Sequence, residues 1–182
     1  MKRTRQSQIR ELTVMAAVAA LYVALCYVFA SVSYGPVQFR IAEVLLILAV
    51  YNKKYCVPVI IGTFMANALM FGLVDMIVGT FATVLALAVI ISAKGDAIKK
   101  IIAAPAAAII NGVVIGLMLV YLIPEDFGAL WFVMLTVAAG EFAVVLAGTL
   151  AFAGIEKINP RFISMIKNIN TKSIENINNR GE

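Results

Sequence analysis

The stretch Tyr34-Gly35-Pro36-Val37-Gln38-Phe39-Arg40-Ile41-Ala42-Glu43 decides how the rest of this chain is read. It lies between two long apolar runs, and Arg40 is the only Lys or Arg that a simple membrane topology cannot put on the basic side. Gly35-Pro36 predicts a turn, and Pro36 suits the first turn of the helix that follows, where its missing amide has no helical partner to lose. Gln38, Arg40 and Glu43 then fall in that helix's first two turns. Arg40 and Glu43 are three residues apart, so they share a face and can pair. A guanidinium against lipid is costly, so the cluster is expected to face a pocket or the protein interior. The alternative is an interfacial salt bridge that only starts a helix.

Composition sets the class. The 182 residues are 63% hydrophobic and 14% charged, with a mean hydropathy of +0.98. That leaves too little polar surface for a soluble globule, and predicts an all-α polytopic membrane protein. The net charge of +5 invites a nucleic-acid reading. The basic residues, however, sit in short loops between apolar runs, which is a topology pattern, so no nucleic-acid partner is expected. Met1 to Glu11 is charged and the apolar run behind it has no clear cleavage site, so no signal peptide is expected. Cys26 and Cys56 fall in or beside apolar runs without CxxC spacing, and read as small packing residues. Histidine is absent, which removes imidazole acid–base chemistry and HExxH zinc sites. No phosphate-binding GxxxxGK[ST] loop occurs, so the chain cannot by itself bind ATP in that way. No cofactor and no enzyme activity are expected.

Six transmembrane spans are predicted: about Leu12–Ala30, Val37–Val50, Tyr55–Phe71, Met76–Ser92, Ile101–Ile123 and Ala129–Ile155. The second is short and polar at its start. The chain therefore divides into a basic segment (1–11), a membrane domain (12–155) and a polar tail (156–182). Six spans put both termini on one side. That side holds the first segment, the Lys53-Lys54 loop, the loop from Lys94 to Lys100 and the tail, hence every Lys and Arg except Arg40. The opposite loops hold Asp75, Glu125 and Asp126. By the positive-inside rule both termini are cytoplasmic.

Small residues recur at every fourth position in three spans: Ala16, Ala20 and Ala24; Ala104, Ala108, Gly112 and Gly116; and Ala139, Ala143, Ala147 and Ala151. Such stripes let helices approach closely in lipid. For the fifth and sixth spans packing within the chain is expected; for the first, spacing alone does not separate internal packing from docking of a partner.

Polar groups that converge at one depth mark a site. At about 1.5 Å per residue, Asn111 and Glu141 each lie about 18 Å from the outer end of their helices. Glu141 is the first candidate, because a carboxyl at that depth needs a partner or a proton. Asn67, Gln38, Arg40, Glu43, Asp75, Tyr34, Tyr27 and Trp131 lie nearer the outer end and can line an outward-opening pocket. A purine-like ligand suits this set. A guanine edge offers adjacent N–H and NH2 donors to one carboxylate, its carbonyl needs a donor, and its flat face needs an aromatic ring.

The run Tyr34-Gly35-Pro36 into Gln38-Phe39-Arg40-Ile41-Ala42-Glu43 resembles the QueT family, the substrate-binding (S) components of energy-coupling-factor (ECF) importers for queuosine precursors. Length and hydropathy extend the resemblance from about Leu12 to Ile155. It implies a six-helix S component that captures such a precursor, foremost 7-aminomethyl-7-deazaguanine (preQ1), from outside the cell across the bacterial cell membrane. It implies as partners a membrane coupling protein and two cytoplasmic ATPases. It also implies that Ala16, Ala20 and Ala24 dock the coupling protein, and that Ser31 to Pro36 helps to cover the site. A stand-alone proton-coupled carrier with Glu141 as relay, an intramembrane enzyme, disfavoured because only Glu141 lies well inside, and an S component for another vitamin-like solute are the rival readings.

Overall fold

The computed structural model describes residues 5–30, 39–123 and 127–169. Its centre is the segment that follows Arg40. Ile41–Leu46 winds as a 3-10 helix and passes directly into α2, Ile47–Tyr51. Ala42, Glu43, Leu45, Leu46 and every residue of α2 are buried. A helix apolar on all sides belongs in a protein core or in lipid, and the burial of this one puts it in the core. Around it stand α1 (Arg5–Val28), α3 (Cys56–Met70), α4 (Leu73–Ser92), α5 (Asp96–Tyr121), α6 (Leu130–Ile158) and the short α7 (Pro160–Lys167). No strand occurs among the described residues.

Four of these helices, α1, α4, α5 and α6, are long and apolar enough to cross a membrane. The helix over Ile41–Tyr51 is shorter. It begins only after Arg40, whose backbone (φ −76°, ψ 78°) is not helical, and it stops at Asn52, whose backbone is extended. The 15 residues of α3 span about 22 Å, also less than the ~30 Å hydrocarbon core. At the α3–α4 corner Gly72 adopts φ +93°, a conformation that a residue with a Cβ rarely takes.

The most extensive packing is between α5 and α6. Gly112 and Gly116 make it possible: a Cβ on Gly112 would lie 2.8 Å from that of Ala138, and one on Gly116 2.6 Å from Met134 Cγ. The α5 stripe of Ala104, Ala108, Gly112 and Gly116 is buried, as expected. The α6 stripe is a correction. Ala139, Ala143, Ala147 and Ala151 are all exposed, because α6 turns Val133, Val137, Gly140, Glu141, Val145 and Gly148 inward instead. A Cβ on Gly148 would meet Val44 at 2.6 Å, so the inward glycine is where α6 passes closest to the central segment.

The structure also extends beyond residue 155. Helix α6 continues to Ile158, and α7 follows with Asn159 accepting a 3.1 Å hydrogen bond from the Phe162 amide and Pro160 in the first turn. Ile163 and Ile166 bury against the bundle. At this basic end Glu156 pairs with Lys100 and, at 3.6 Å, with Lys167, while Lys167 also reaches Asp96 at 3.0 Å. Hydrogen bonding to Asp96 is the main reason the Lys167 ammonium holds its proton more tightly than an ordinary lysine. The Tyr51 ring lies 4.9 Å from Lys100 Nζ and 5.5 Å from Lys167 Nζ, so α2, α5, α6 and α7 meet on one cluster.

Candidate functional site

Two polar latches lie inside this apolar bundle. The first is built on the start of the central segment. Arg40 donates from Nη2 to Asn67 Oδ1 at 2.7 Å. Asn67 in turn donates from Nδ2 to the Asp75 carbonyl at 3.1 Å, and its own carbonyl accepts from the Phe71 and Gly72 amides at the end of α3. One asparagine thus ties the end of α3, the start of α4 and the guanidinium together. The acceptor oxygen must face the guanidinium and the donor nitrogen the carbonyl, which fixes the orientation of the amide. Gly79 makes room for it, since a Cβ there would lie 2.5 Å from Asn67 Nδ2 and 3.6 Å from Arg40 Nη1.

Glu43 forms the second contact on the same segment. Its Oε1 accepts from the Tyr22 hydroxyl at 2.7 Å and from Thr83 Oγ1 at 3.4 Å. Arg40 and Glu43 do not form a direct ion pair among the described residues; they act on each other electrostatically at longer range, each turned to a different neighbouring helix. The second latch joins α5 to α6. Asn111 Nδ2 donates to Glu141 Oε1 at 3.2 Å and to the Ala107 carbonyl at 3.1 Å. Arg40, Glu43, Asn67, Asn111 and Glu141 are all buried. The charges of Glu43 and Arg40 both reach Glu141, so the two latches share one electrostatic neighbourhood.

Unmet acceptor atoms occur in this neighbourhood. Glu43 Oε2 and Asn111 Oδ1 are buried without a hydrogen-bond partner among the described residues. Both are acceptors. A buried polar atom left alone costs about 1–3 kcal/mol, so each of these acceptors is a place that wants a hydrogen-bond donor.

The other expected site residues fall elsewhere. Asp75 is half-buried at the rim, where the charge of Arg40 reaches its carboxyl group. Trp131 is 66% exposed, its ring edge-on to Phe132, and Tyr27 is 75% exposed, so the structure does not bring these aromatics to the cluster. Tyr34 and Gln38 lie outside the described residues. Tyr22 and Thr83 were not among the expected residues. Their signal was periodicity: Tyr22 lies four residues before the buried Cys26, and Thr83 four after the buried Gly79. No group of three or more His, Cys, Asp or Glu converges for a metal among the described residues.

Ala16, Ala20 and Ala24 are exposed on α1. Ala20 and Ala24 line an open apolar groove of about 490 Å³ between α1 and α3, floored by Gly62.

A model of the QueT transporter family matches residues 12–157. The chain belongs to the QueT transporter family. The resemblance carried by Tyr34 to Glu43 is thereby borne out, and with four apolar helices of crossing length the chain is a multi-pass membrane protein. It is also similar to the queuosine precursor transporter QueT of Lactococcus lactis subsp. cremoris (strain MG1363), at 43% identity over 81 residues, which is 43% of this chain and 48% of that protein. The chain thus spans about half the length of that curated relative in the matched stretch. No solved structure matches the chain.

Proposed function

We propose that this chain is the substrate-binding S component of an ECF-type importer, and that it captures a queuosine precursor, foremost preQ1, from outside the cell. The observation that carries the reading is the pair of unmet buried acceptors, Glu43 Oε2 and, beside Glu141, Asn111 Oδ1. A 7-deazaguanine brings donors to such a surface. Its N–H and NH2 edge suits the Glu141 carboxylate, and Asn111 would bind beside it. Its cationic aminomethyl arm suits Glu43, with Asp75 as a second carboxylate near the entrance. Arg40 offers donors to the ring carbonyl. The family match and the name of the curated relative point the same way.

In this reading the short helices count as crossings, giving six, with both termini and the basic loops in the cytoplasm. The exposed alanine stripe on α1 supports docking of the membrane coupling protein, through which two cytoplasmic ATPases drive uptake. Catalysis is no part of the role. The test is a calorimetric or thermal-shift panel on the purified chain with 7-deazaguanines against vitamins. Tight binding of preQ1 alone is expected; preference for a vitamin would redirect the assignment to another S-component specificity. Uptake into vesicles that lack any ATPase, driven by a proton gradient, would instead favour a stand-alone carrier.

A further inference from the structure

A second cavity lies away from the polar latches, at the basic end of the bundle. It is a groove of about 380 Å³ between α1, the central segment, α6 and α7, walled by Val14, Val18, Leu48, Phe152 and Ile166 among others. Two polar residues line it. Arg10 is exposed at its rim and Tyr55 is 3% exposed. The Tyr55 hydroxyl has no hydrogen bond among the described residues. The two residues are neighbours of one ion pair, Glu11 with Lys54, which joins α1 to the chain entering α3. That pair meets the charges of Glu11 and Lys54, while Arg10 remains at the mouth.

We propose that this groove holds one acyl chain of an anionic phospholipid, with the headgroup phosphate on Arg10 and the Tyr55 hydroxyl donating to an ester oxygen. Hydrocarbon gains little by leaving a bilayer for an apolar groove, so the walls do not select the occupant. Selection comes from the polar contacts. A guanidinium at the basic end of a membrane bundle complements a phosphate, and the lone phenol supplies a donor where a glycerol ester begins. The groove thereby seats α7 on α1 through a lipid instead of through protein alone.

Native mass spectrometry of the chain, released from nanodiscs of phosphatidylglycerol or phosphatidylcholine, tests this, with melting temperature as a second readout. The parent is expected to retain one phosphatidylglycerol with about five-fold preference over phosphatidylcholine, and Arg10→Gln to lose that preference. Tyr55→Phe is expected to retain less of either lipid. Val18→Trp, which fills the groove, is expected to retain none while still melting cooperatively. Equal retention in the parent, Arg10→Gln and Val18→Trp would overturn the proposal. So would a disulfide formed in high yield between Val18→Cys and a cysteine placed within residues 170–182, which would make the chain's own tail the occupant.

Discussion

The Tyr22 hydroxyl donates a 2.7 Å hydrogen bond to Glu43 Oε1, linking α1 to the buried central segment. Both side chains are fully buried. The bond leaves Oε2 as the open face of the carboxyl group, so in the proposed site Tyr22 would set which oxygen the ligand meets. Tyr22→Phe removes that donor and leaves Oε1 with only the long contact from Thr83. The expected loss is about 1–3 kcal/mol of stability, with weaker preQ1 binding as the carboxyl group turns. Melting curves and calorimetry on the same preparation check both effects; unchanged values for both would remove Tyr22 from the positioning role.

Gly79→Ala tests the Arg40–Asn67 latch without touching a charge. The new Cβ would lie 2.5 Å from Asn67 Nδ2, which is held by the Asp75 carbonyl and cannot simply swing away. Overpacking of this kind destabilises by about 1–3 kcal/mol. Adding Asn67→Ala removes the clash, so the double variant is expected to be more stable than the sum of the single effects predicts. Additive losses in melting experiments would show that Gly79 and Asn67 do not press on each other.

Much of this arrangement was legible before any coordinates. Arg40 and Glu43 stood out because charge in an apolar run must be sheltered. The meeting of Asn111 and Glu141 followed from equal depth on consecutive antiparallel helices, and it is a 3.2 Å hydrogen bond. What spacing could not supply was direction. The alanines of α6 have the same period as those of α5, yet they face outward, because period fixes a face and says nothing about which side the neighbours occupy. Trp131 faces outward for the same reason. Tyr22 and Thr83 were hidden because a hydroxyl changes hydropathy little, although it can hold a carboxylate. Helix α7 reads as tail in the sequence because its buried Ile163 and Ile166 are interleaved with Arg161 and Lys167.

The two exposed alanine stripes make a paired experiment. Ala20→Leu with Ala24→Leu fills the groove floored by Gly62 and is expected to leave preQ1 binding unchanged while abolishing co-purification with the coupling protein. Ala143→Leu with Ala147→Leu on α6 is the matched control, expected to leave both unchanged. Pull-down from cells expressing all components separates the outcomes. Loss of coupling-protein capture only in the α6 variant would move the docking face from α1 to α6.

The ion cluster around Glu156 is expected to matter little on its own. Its carboxylate meets Lys100 and Lys167 where the side chains are partly exposed, and such pairs are worth about 0.2–1 kcal/mol each. Glu156→Gln should therefore lower stability by about 1 kcal/mol or less, and the difference should shrink in high salt. A loss of several kcal/mol that salt did not reduce would mean that α7 is held chiefly by this cluster, and not by Ile163 and Ile166.

The most direct measurement is a calorimetric titration of preQ1 into the purified chain and into Glu141→Gln, which preserves shape and removes the carboxylate. If Glu141 receives the donor edge of the ring, the variant binds at least about ten-fold more weakly, a difference of about 1.4 kcal/mol, while melting close to the parent. Equal affinity in the two proteins would contradict the account at its centre.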